Sequence, residues 1–180
     1  LIASVIGNQA NLTPEVHGSK VWSGSQFGEA FQFTGENYVN IPNSQELNLG
    51  NEYSFSVWIH VADNVPFQSI LHQGHNSFRL FQSGSGAPLF EDKLYFRAMN
   101  ESGADHYALS SEITPVDTWL FVVGTYDGET IKLYVNGDEK ASYTETNQGS
   151  IAAPNYSADP LGIGASPSGN NKFTGLMDEL

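Results

Sequence analysis

The 180-residue sequence contains no cysteine, which excludes disulfide bonds and cysteine-ligated zinc. It is also poor in positive charge, because seven lysines and arginines stand against twenty aspartates and glutamates. The resulting net charge of −13 repels nucleic-acid phosphates and anionic membranes, and it favours divalent cations. No apolar run is long enough to span a bilayer. We therefore expect neither nucleic-acid binding nor membrane insertion.

A sustained apolar period of 3.6 residues is missing as well, so the sequence predicts almost no helix. Apolar and polar residues instead alternate in short runs, such as "YSFSVWIHV" (53–61), "WLFVVGTY" (119–126) and "TIKLYVNG" (130–137). Turn residues separate these runs, as in β-hairpins. The length suits one hydrophobic core, and we expect a single all-β domain over residues 1–180.

The alternation divides each predicted strand into an apolar and a mixed face. In "YSFSVWIHV", for example, Val57 lies on the apolar face and Trp58 and His60 on the other. The residues expected to be buried are Phe33, Phe55, Val57, Trp119, Phe121, Leu133 and Val135.

The mixed faces carry aromatic rings beside hydrogen-bonding groups, a combination suited to sugars, whose C–H faces stack on rings while their hydroxyls need donors and acceptors. The candidate ligand patch consists of Trp58, His60, His72, His75, Asn76, Arg79, Tyr95 and Arg97, with Asn170 and Asn171 from a late loop. Two alternatives stay open: these residues are ordinary solvated strand positions, or a loop covers Trp58.

Three blocks together resemble the laminin G-like, concanavalin A-like jelly-roll family. They are "FGEAFQFTGENYVNIPNSQELNLGNEYSFSVWIHV" (27–61), "DTWLFVVGTYDGETIKLYVNGDEKAS" (117–142) and "PLGIGASPSGNNKFTGLMDEL" (160–180). The resemblance implies an antiparallel β-sandwich in which the hairpin at 124–137 is scaffold. Members of this family carry strands beyond both ends of this sequence. We therefore expect a fragment of a larger secreted protein, or terminal strands supplied by a neighbour.

The resemblance also implies one structural calcium ion, held where the loop "TGENY" (34–38) approaches the C-terminal "GLMDE" (175–179). By that resemblance the ligands are Glu36, Asn37 and Asp178, with Asn8 as a weaker candidate. The alternative is that Glu36 and Asn37 only form the turn between two strands.

Catalytic motifs are missing. Glucanases of this fold resemble one another in a Glu-x-Asp-x-(x)-Glu strand, and no such carboxylate triplet occurs here. A Gly-x-Ser-x-Gly elbow is also missing, and no carboxylate lies at metal-ligand spacing from the histidines. We expect a protein that is not an enzyme.

The sequence thus favours an extracellular or cell-surface module, bacterial in origin, that binds carbohydrate or mediates adhesion to a glycan or glycoprotein surface. One alternative is a structural subunit of a surface filament or phage fibre, packed against neighbouring domains or copies of itself. Another is the accessory domain of a glycoside hydrolase.

Overall fold

The computed structural model describes residues 13–25, 27–44, 47, 52–74, 78–83, 91–99, 105–144 and 160–180. Within these ranges the regular structure is β-strand, without an α-helix. The strands are β1 (Glu15–His17), β2 (Trp22–Gly24), β3 (Glu29–Thr34), β4 (Tyr38–Ile41), β5 (Tyr53–Val61), β6 (Gln68–Gln73), β7 (Phe78–Gln82), β8 (Lys93–Met99), β9 (Asp105–Ile113), β10 (Trp119–Tyr126), β11 (Thr130–Val135), β12 (Asp138–Thr144), β13 (Leu161–Ile163) and β14 (Thr174–Asp178). In this part of the chain, no helix has the length and apolar character needed to cross a membrane.

The strands form two antiparallel sheets of seven strands each. Sheet 1 has the order β1-β4-β13-β6-β7-β8-β9, and sheet 2 has the order β12-β11-β10-β5-β14-β3-β2. Strands distant in sequence become neighbours, since β13 lies between β4 and β6 while β14 lies between β5 and β3. The buried side chains of both sheets join one hydrophobic cluster. The predicted antiparallel β-sandwich is confirmed.

Sheet 2 is centred on β5 and β10, which pair through eight consecutive residues, from Tyr53 opposite Tyr126 to His60 opposite Trp119. On β5, Val57 and Ile59 are fully buried, while Trp58 between them lies on the outer face. The predicted division of this strand into an apolar and a mixed face is therefore confirmed. Phe33 and Leu133 are buried as expected, and Phe55 and Val135 pack against the core while partly exposed.

Two residues expected in the core, Trp119 and Phe121, lie on the outer face of sheet 2 instead. The inward residues of β10 are Leu120 and Val122, which are 4% and 0% exposed. Tyr126 also faces inward, at 2% exposed, and so does Gly124. Its lack of a Cβ leaves the space that the Phe55 ring occupies. Trp119 and Phe121 were expected in the core, but the pairing of β10 with β5 places them on the same outer face as His60 and Trp58.

The two turns that flank β11 use side-chain and backbone features visible in the sequence. Asp127 Oδ1 accepts hydrogen bonds from the backbone N–H groups of Thr130 at 2.7 Å and Glu129 at 3.1 Å. These bonds, chiefly the one from Thr130, lower the pKa of the Asp127 carboxyl. At the other end, Asn136 and Gly137 have φ angles of 54° and 89°, which a two-residue hairpin with a type I′ turn requires.

Two adjacent valines on β10 test which side chains of this strand face the core. Val122 is fully buried, whereas Val123 faces outward. Val122→Ala should lower the free energy of unfolding by about 2 kcal/mol because it removes buried methyl groups and leaves a cavity. Val123→Ala should cost less than about 1 kcal/mol. Chemical denaturation measures both, and equal losses would contradict the assigned faces.

The Asp127 turn predicts a pH dependence. Since its pKa is lower in the folded state than the unfolded value of about 3.9, the carboxylate's stabilising contribution is fully present above that pH. It is lost as the pH falls through the folded-state pKa. Asp127→Asn should therefore be less stable than the wild type at pH 6, with the difference shrinking in acid. Denaturation at several pH values measures this, and a constant difference down to pH 2 would refute it.

Candidate functional site

The sequence-predicted ligand residues fall on opposite faces of the sandwich. Trp58 and His60 lie on β5 in sheet 2. Four of the others lie on strands β6, β7 and β8 of sheet 1, namely His72, Arg79, Tyr95 and Arg97. The prediction of one continuous patch is therefore wrong, because β5 belongs to the other sheet. His75 and Asn76 lie outside the described residues.

A row of polar side chains crosses the outer face of sheet 1. The backbone register places His72 opposite Arg79, Arg79 opposite Arg97, and Arg97 opposite Tyr107. The inward neighbours on the same strands, such as Leu80 and Phe96, are core residues, so these four side chains point away from the core. We call His72, Arg79, Arg97 and Tyr107 the polar row.

Exposure varies along the polar row. Tyr107 is 41% exposed, His72 is 6% exposed, and both arginines are partly buried. The His72 Nε2 atom lies 3.1 Å from the carbonyl oxygen of Gly74, to which it can donate. Tyr107 is the member that sequence reasoning missed. The alternation in "HYALSS" (106–111) places it outward and could have found it.

An aromatic pair lies beside the polar row. The rings of Phe81 and Tyr95 are stacked, with centroids 5.3 Å apart and planes 8° from parallel. The Arg79 guanidinium carbon lies 5.9 Å from the Phe81 centroid, and the His72 ring lies 5.7 Å from it. Phe81 is on the outer face although it is only 2% exposed. Sequence reasoning missed it because a phenylalanine in an apolar strand reads as core.

The loop that follows β13 lies over the same face of sheet 1. Gly162 has room only for hydrogen, since a Cβ there would clash with the Ala165 carbonyl. Asn40 Nδ2 donates to the Pro167 carbonyl at 3.1 Å, and the Asn171 carbonyl accepts from the Ser69 N–H at 2.8 Å.

Asn170 and Asn171, both exposed, are carried by this loop, so the structure places them on the same sheet as the polar row. Farther along sheet 1, the rings of His17 and Tyr38 stack with centroids 4.4 Å apart. Aromatic side chains therefore occur on both sides of the loop.

Trp58 belongs to an aromatic cluster on the outer face of sheet 2. Its ring lies 5.1 Å from Phe121 and 5.2 Å from Phe27, while His60 lies 5.4 Å from Trp119. Phe27 comes from the β2–β3 connection and is itself 60% exposed. This agrees with the alternative in which a loop covers Trp58. The tryptophan contributes to packing on sheet 2 and does not join the polar row.

The structure does not bring the proposed calcium ligands together. Glu36 and Asn37 follow β3 at the end where Thr34 pairs with Thr174. Asp178 lies four residues beyond Thr174 on β14, so it is about 13 Å from Thr174 at the usual rise per residue of a strand. There its Oδ2 accepts from Ser25 Oγ at 2.5 Å. The expected site joining these residues is therefore wrong.

The described residues were also compared with the side-chain groups that usually hold a metal ion. No group of three or more histidine, aspartate or glutamate side chains suited to a metal ion occurs among the described residues. Asn8, the weaker candidate, lies outside those residues. Calcium binding itself stays a prediction, and so does the expectation that the protein is not an enzyme.

Asn37 has a structural role that explains its burial. It is 0% exposed, and its Oδ1 accepts from the Thr34 N–H at 2.8 Å. Its Nδ2 donates to the carbonyl oxygens of Ser19 at 2.8 Å and Gln32 at 2.9 Å. The amide therefore ties the turn after β3 to the segment before β2, as the alternative reading of this residue expected.

Asn37→Ala should lower the free energy of unfolding by about 3 kcal/mol, because it leaves buried backbone groups without partners. The loss should be equal in calcium and in chelator. Asn37→Asp is the control, since it keeps an acceptor oxygen, adds a charge that calcium would prefer and removes both amide donors. Thermal scans measure the result, and a calcium-dependent rise in the melting temperature of the wild type that Asn37→Ala abolishes and Asn37→Asp keeps would contradict the purely structural role.

A laminin G-type family model, described as the concanavalin A-like lectin/glucanases superfamily, matches residues 33–180. Because this match covers most of the sequence, the chain belongs to that superfamily. No curated protein sequence gives a significant match.

Several solved structures are similar in fold. Domain 4 of AbnA, an extracellular arabinanase from Geobacillus stearothermophilus solved with arabinotriose, is 17% identical with a TM-score of 0.71, covering 98% of this chain and 85% of its own. The Ruminococcus gnavus sialidase CBM40, solved with α2,3-sialyllactose, is 14% identical with a TM-score of 0.59, covering 92% and 89%.

A third similar structure is that of botulinum neurotoxin type C, 14% identical with a TM-score of 0.65. The match covers 92% of this chain but only 39% of the toxin chain. At these identities the likeness shows a shared fold.

Proposed function

We propose that this chain is a carbohydrate-binding module whose ligand lies on the outer face of sheet 1. The observation that carries the proposal is the polar row beside the stacked pair of Phe81 and Tyr95. The partly exposed ring of Tyr95 and the exposed ring of Tyr107 offer a stacking surface for sugar C–H groups, while guanidinium and phenol groups supply directional hydrogen bonds. Both kinds of contact are presented by adjacent strands of one sheet.

The similar structures support this reading through their own ligands. The arabinanase domain was solved with arabinotriose, and the sialidase module with sialyllactose. Cell entry of the neurotoxin depends on two ganglioside molecules. Three proteins with this fold are thus linked to three different glycans, which favours glycan binding as the function. The residues of each protein's own binding face then determine which sugar it binds.

A binding face made of strand residues has an entropic advantage over one made of flexible loops. Strand positions held by backbone pairing lose little conformational freedom when a ligand binds, so less of the interaction energy is spent on ordering the site. We assign no hydrolytic step to the module. A module of this kind fits a non-catalytic part of an extracellular or surface protein, including the accessory domain of a larger enzyme.

Glycan-array screening followed by calorimetry with the best ligand tests the proposal. Tyr107→Ala and Tyr95→Ala should each weaken binding about tenfold, the loss expected for a ring that stacks on the sugar. Tyr134→Ala is the matched control, because Tyr134 faces outward on β11 in sheet 2. It should leave the affinity unchanged.

Two outcomes would contradict the proposal. One is an array on which the wild type binds no glycan. The other is binding that is lost with Trp119→Ala on sheet 2 but kept by both sheet 1 variants, which would move the site to the opposite face of the sandwich.

A further inference from the structure

Phe67 is an exposed aromatic residue in an unfavourable backbone conformation. It ends the connection between β5 and β6, 46% of its surface is exposed, and its φ angle is 58°. Left-handed φ angles are uncommon for residues other than glycine, and for a bulky residue they are outliers. Phe27, which is 60% exposed, packs against Trp58, whereas Phe67 has no ring contact among the described residues. Aromatic packing therefore does not explain why a phenylalanine holds this position.

Two buried glutamine side chains fix the connection that carries Phe67. Gln68 is fully buried, and its Nε2 atom donates to the Asp63 carbonyl at 2.6 Å and to Gln82 Oε1 at 2.7 Å. Gln82 is also fully buried, and its Nε2 atom donates to Asn64 Oδ1 at 2.8 Å. Buried polar networks whose members are hydrogen-bonded make the surrounding backbone rigid. The exposed ring is therefore presented from a rigid support.

The loop between β13 and β14 lies beside this connection and also contains a left-handed residue. Its Asn171 carbonyl accepts from the Ser69 N–H at 2.8 Å. Its Thr174 N–H donates to Gln68 Oε1 at 2.8 Å. Asn171 is exposed and has a φ angle of 55°. An exposed ring and an exposed amide are thus carried by two loops that are bonded to the same end of β6.

The ring and the amide together offer the two kinds of contact that a sugar makes. A phenylalanine ring presents an apolar face to C–H groups, and an asparagine amide both donates and accepts hydrogen bonds. Because the backbone at both residues is held by hydrogen bonds, little conformational freedom is lost on binding. Residues that the surrounding structure holds in rarely populated conformations cluster at ligand sites.

We propose that Phe67 and Asn171 form a sugar subsite at the start of β6, in which Phe67 stacks on a sugar ring and the Asn171 amide contacts its hydroxyl groups. This inference rests on the proposed carbohydrate-binding role of sheet 1 and adds a second point of contact to it.

The position of the subsite determines the size of the ligand. Phe67 lies two residues before Ser69 in the sequence. Ser69 is in register with Phe81, and Phe81 is in register with Tyr95. At the usual strand spacing and rise, the Cα atoms of Phe67 and Tyr95 are about 12 Å apart. A single sugar ring does not span this distance, so the ligand that contacts both residues is an oligosaccharide.

Titration of a glycan array with the labelled whole chain tests the subsite. The array carries oligosaccharides of increasing length, including arabinotriose and 3′-sialyllactose, beside their monosaccharides. Phe67→Ala should weaken binding of the oligosaccharides about tenfold, the loss expected for a stacked ring. Phe67→Tyr keeps the ring and should stay within about twofold of the wild type. Asn171→Gly keeps the left-handed backbone but removes the amide, and it should weaken binding about fivefold.

The backbone conformation of Phe67 gives a second readout that needs no sugar. Phe67→Gly and Phe67→Ala both remove the ring, but only glycine adopts a φ angle of 58° without a steric cost from Cβ. The glycine variant should therefore melt at a higher temperature than the alanine variant, while both bind equally weakly. An equal or lower melting temperature would remove the strain on which the inference rests.

Failure of this inference and failure of the proposed function are distinguishable. Unchanged binding by Phe67→Ala, together with lost binding by Tyr107→Ala, would overturn the subsite and leave the role of sheet 1 standing. A wild type that binds no glycan on the array would overturn both. Phe27→Ala is the matched control, because it removes another exposed phenylalanine, which packs on sheet 2. A loss of affinity in this control as large as in Phe67→Ala would also overturn the subsite.

Discussion

The pairing of β5 with β10 through eight residues fixes which side chains of sheet 2 face the core. Because successive side chains of a strand point to opposite faces, a slip of one residue would exchange Val57 and Ile59 for Trp58 and His60. β14 pairs with β5, β3 with β14, and β11 with β10, so most of sheet 2 depends on this register. Sheet 1 packs on the apolar face that results, which leaves its own outer face available for polar side chains.

The outer face of sheet 1 is the face on which we propose that a ligand binds. Antiparallel pairing of β6, β7, β8 and β9 aligns His72, Arg79, Arg97 and Tyr107 in one line across this face. The core residues between them, among them Leu80 and Phe96, anchor the strands. Core packing and the proposed binding role are thus carried by opposite faces of the same strands.

The sequence predicted the fold well because its signals are local. Alternation over residues 53–61 and the Asn136–Gly137 turn each specify a strand or a hairpin without knowledge of the rest of the chain. Face assignment failed on β10, where Trp119 and Phe121 were expected in the core. The pairing of β10 with β5 decides the faces of both strands, and it turns Trp119 and Phe121 outward beside His60 and Trp58.

The candidate site was predicted only in part, since assembling it requires the sheet order. Arg79, Tyr95 and Arg97 could be recognised as outward residues, but nothing local indicates that β5 belongs to a different sheet from β7 and β8. The same limit applies to the calcium ligands, because Asn37 follows β3 near the Thr174 end of β14, whereas Asp178 lies at the other end of β14. Phe81 was missed because outward burial of an aromatic ring is a tertiary property.

The central claim is that the ligand lies on the outer face of sheet 1, and NMR mapping tests it most directly. During titration of the isotope-labelled chain with an oligosaccharide that binds, backbone amide shifts should change at His72, Arg79, Arg97 and Tyr107. Amides near Trp58 and Trp119 should stay unchanged, because they lie on the opposite face. Shift changes confined to Trp58, Trp119 and their neighbours would contradict the account.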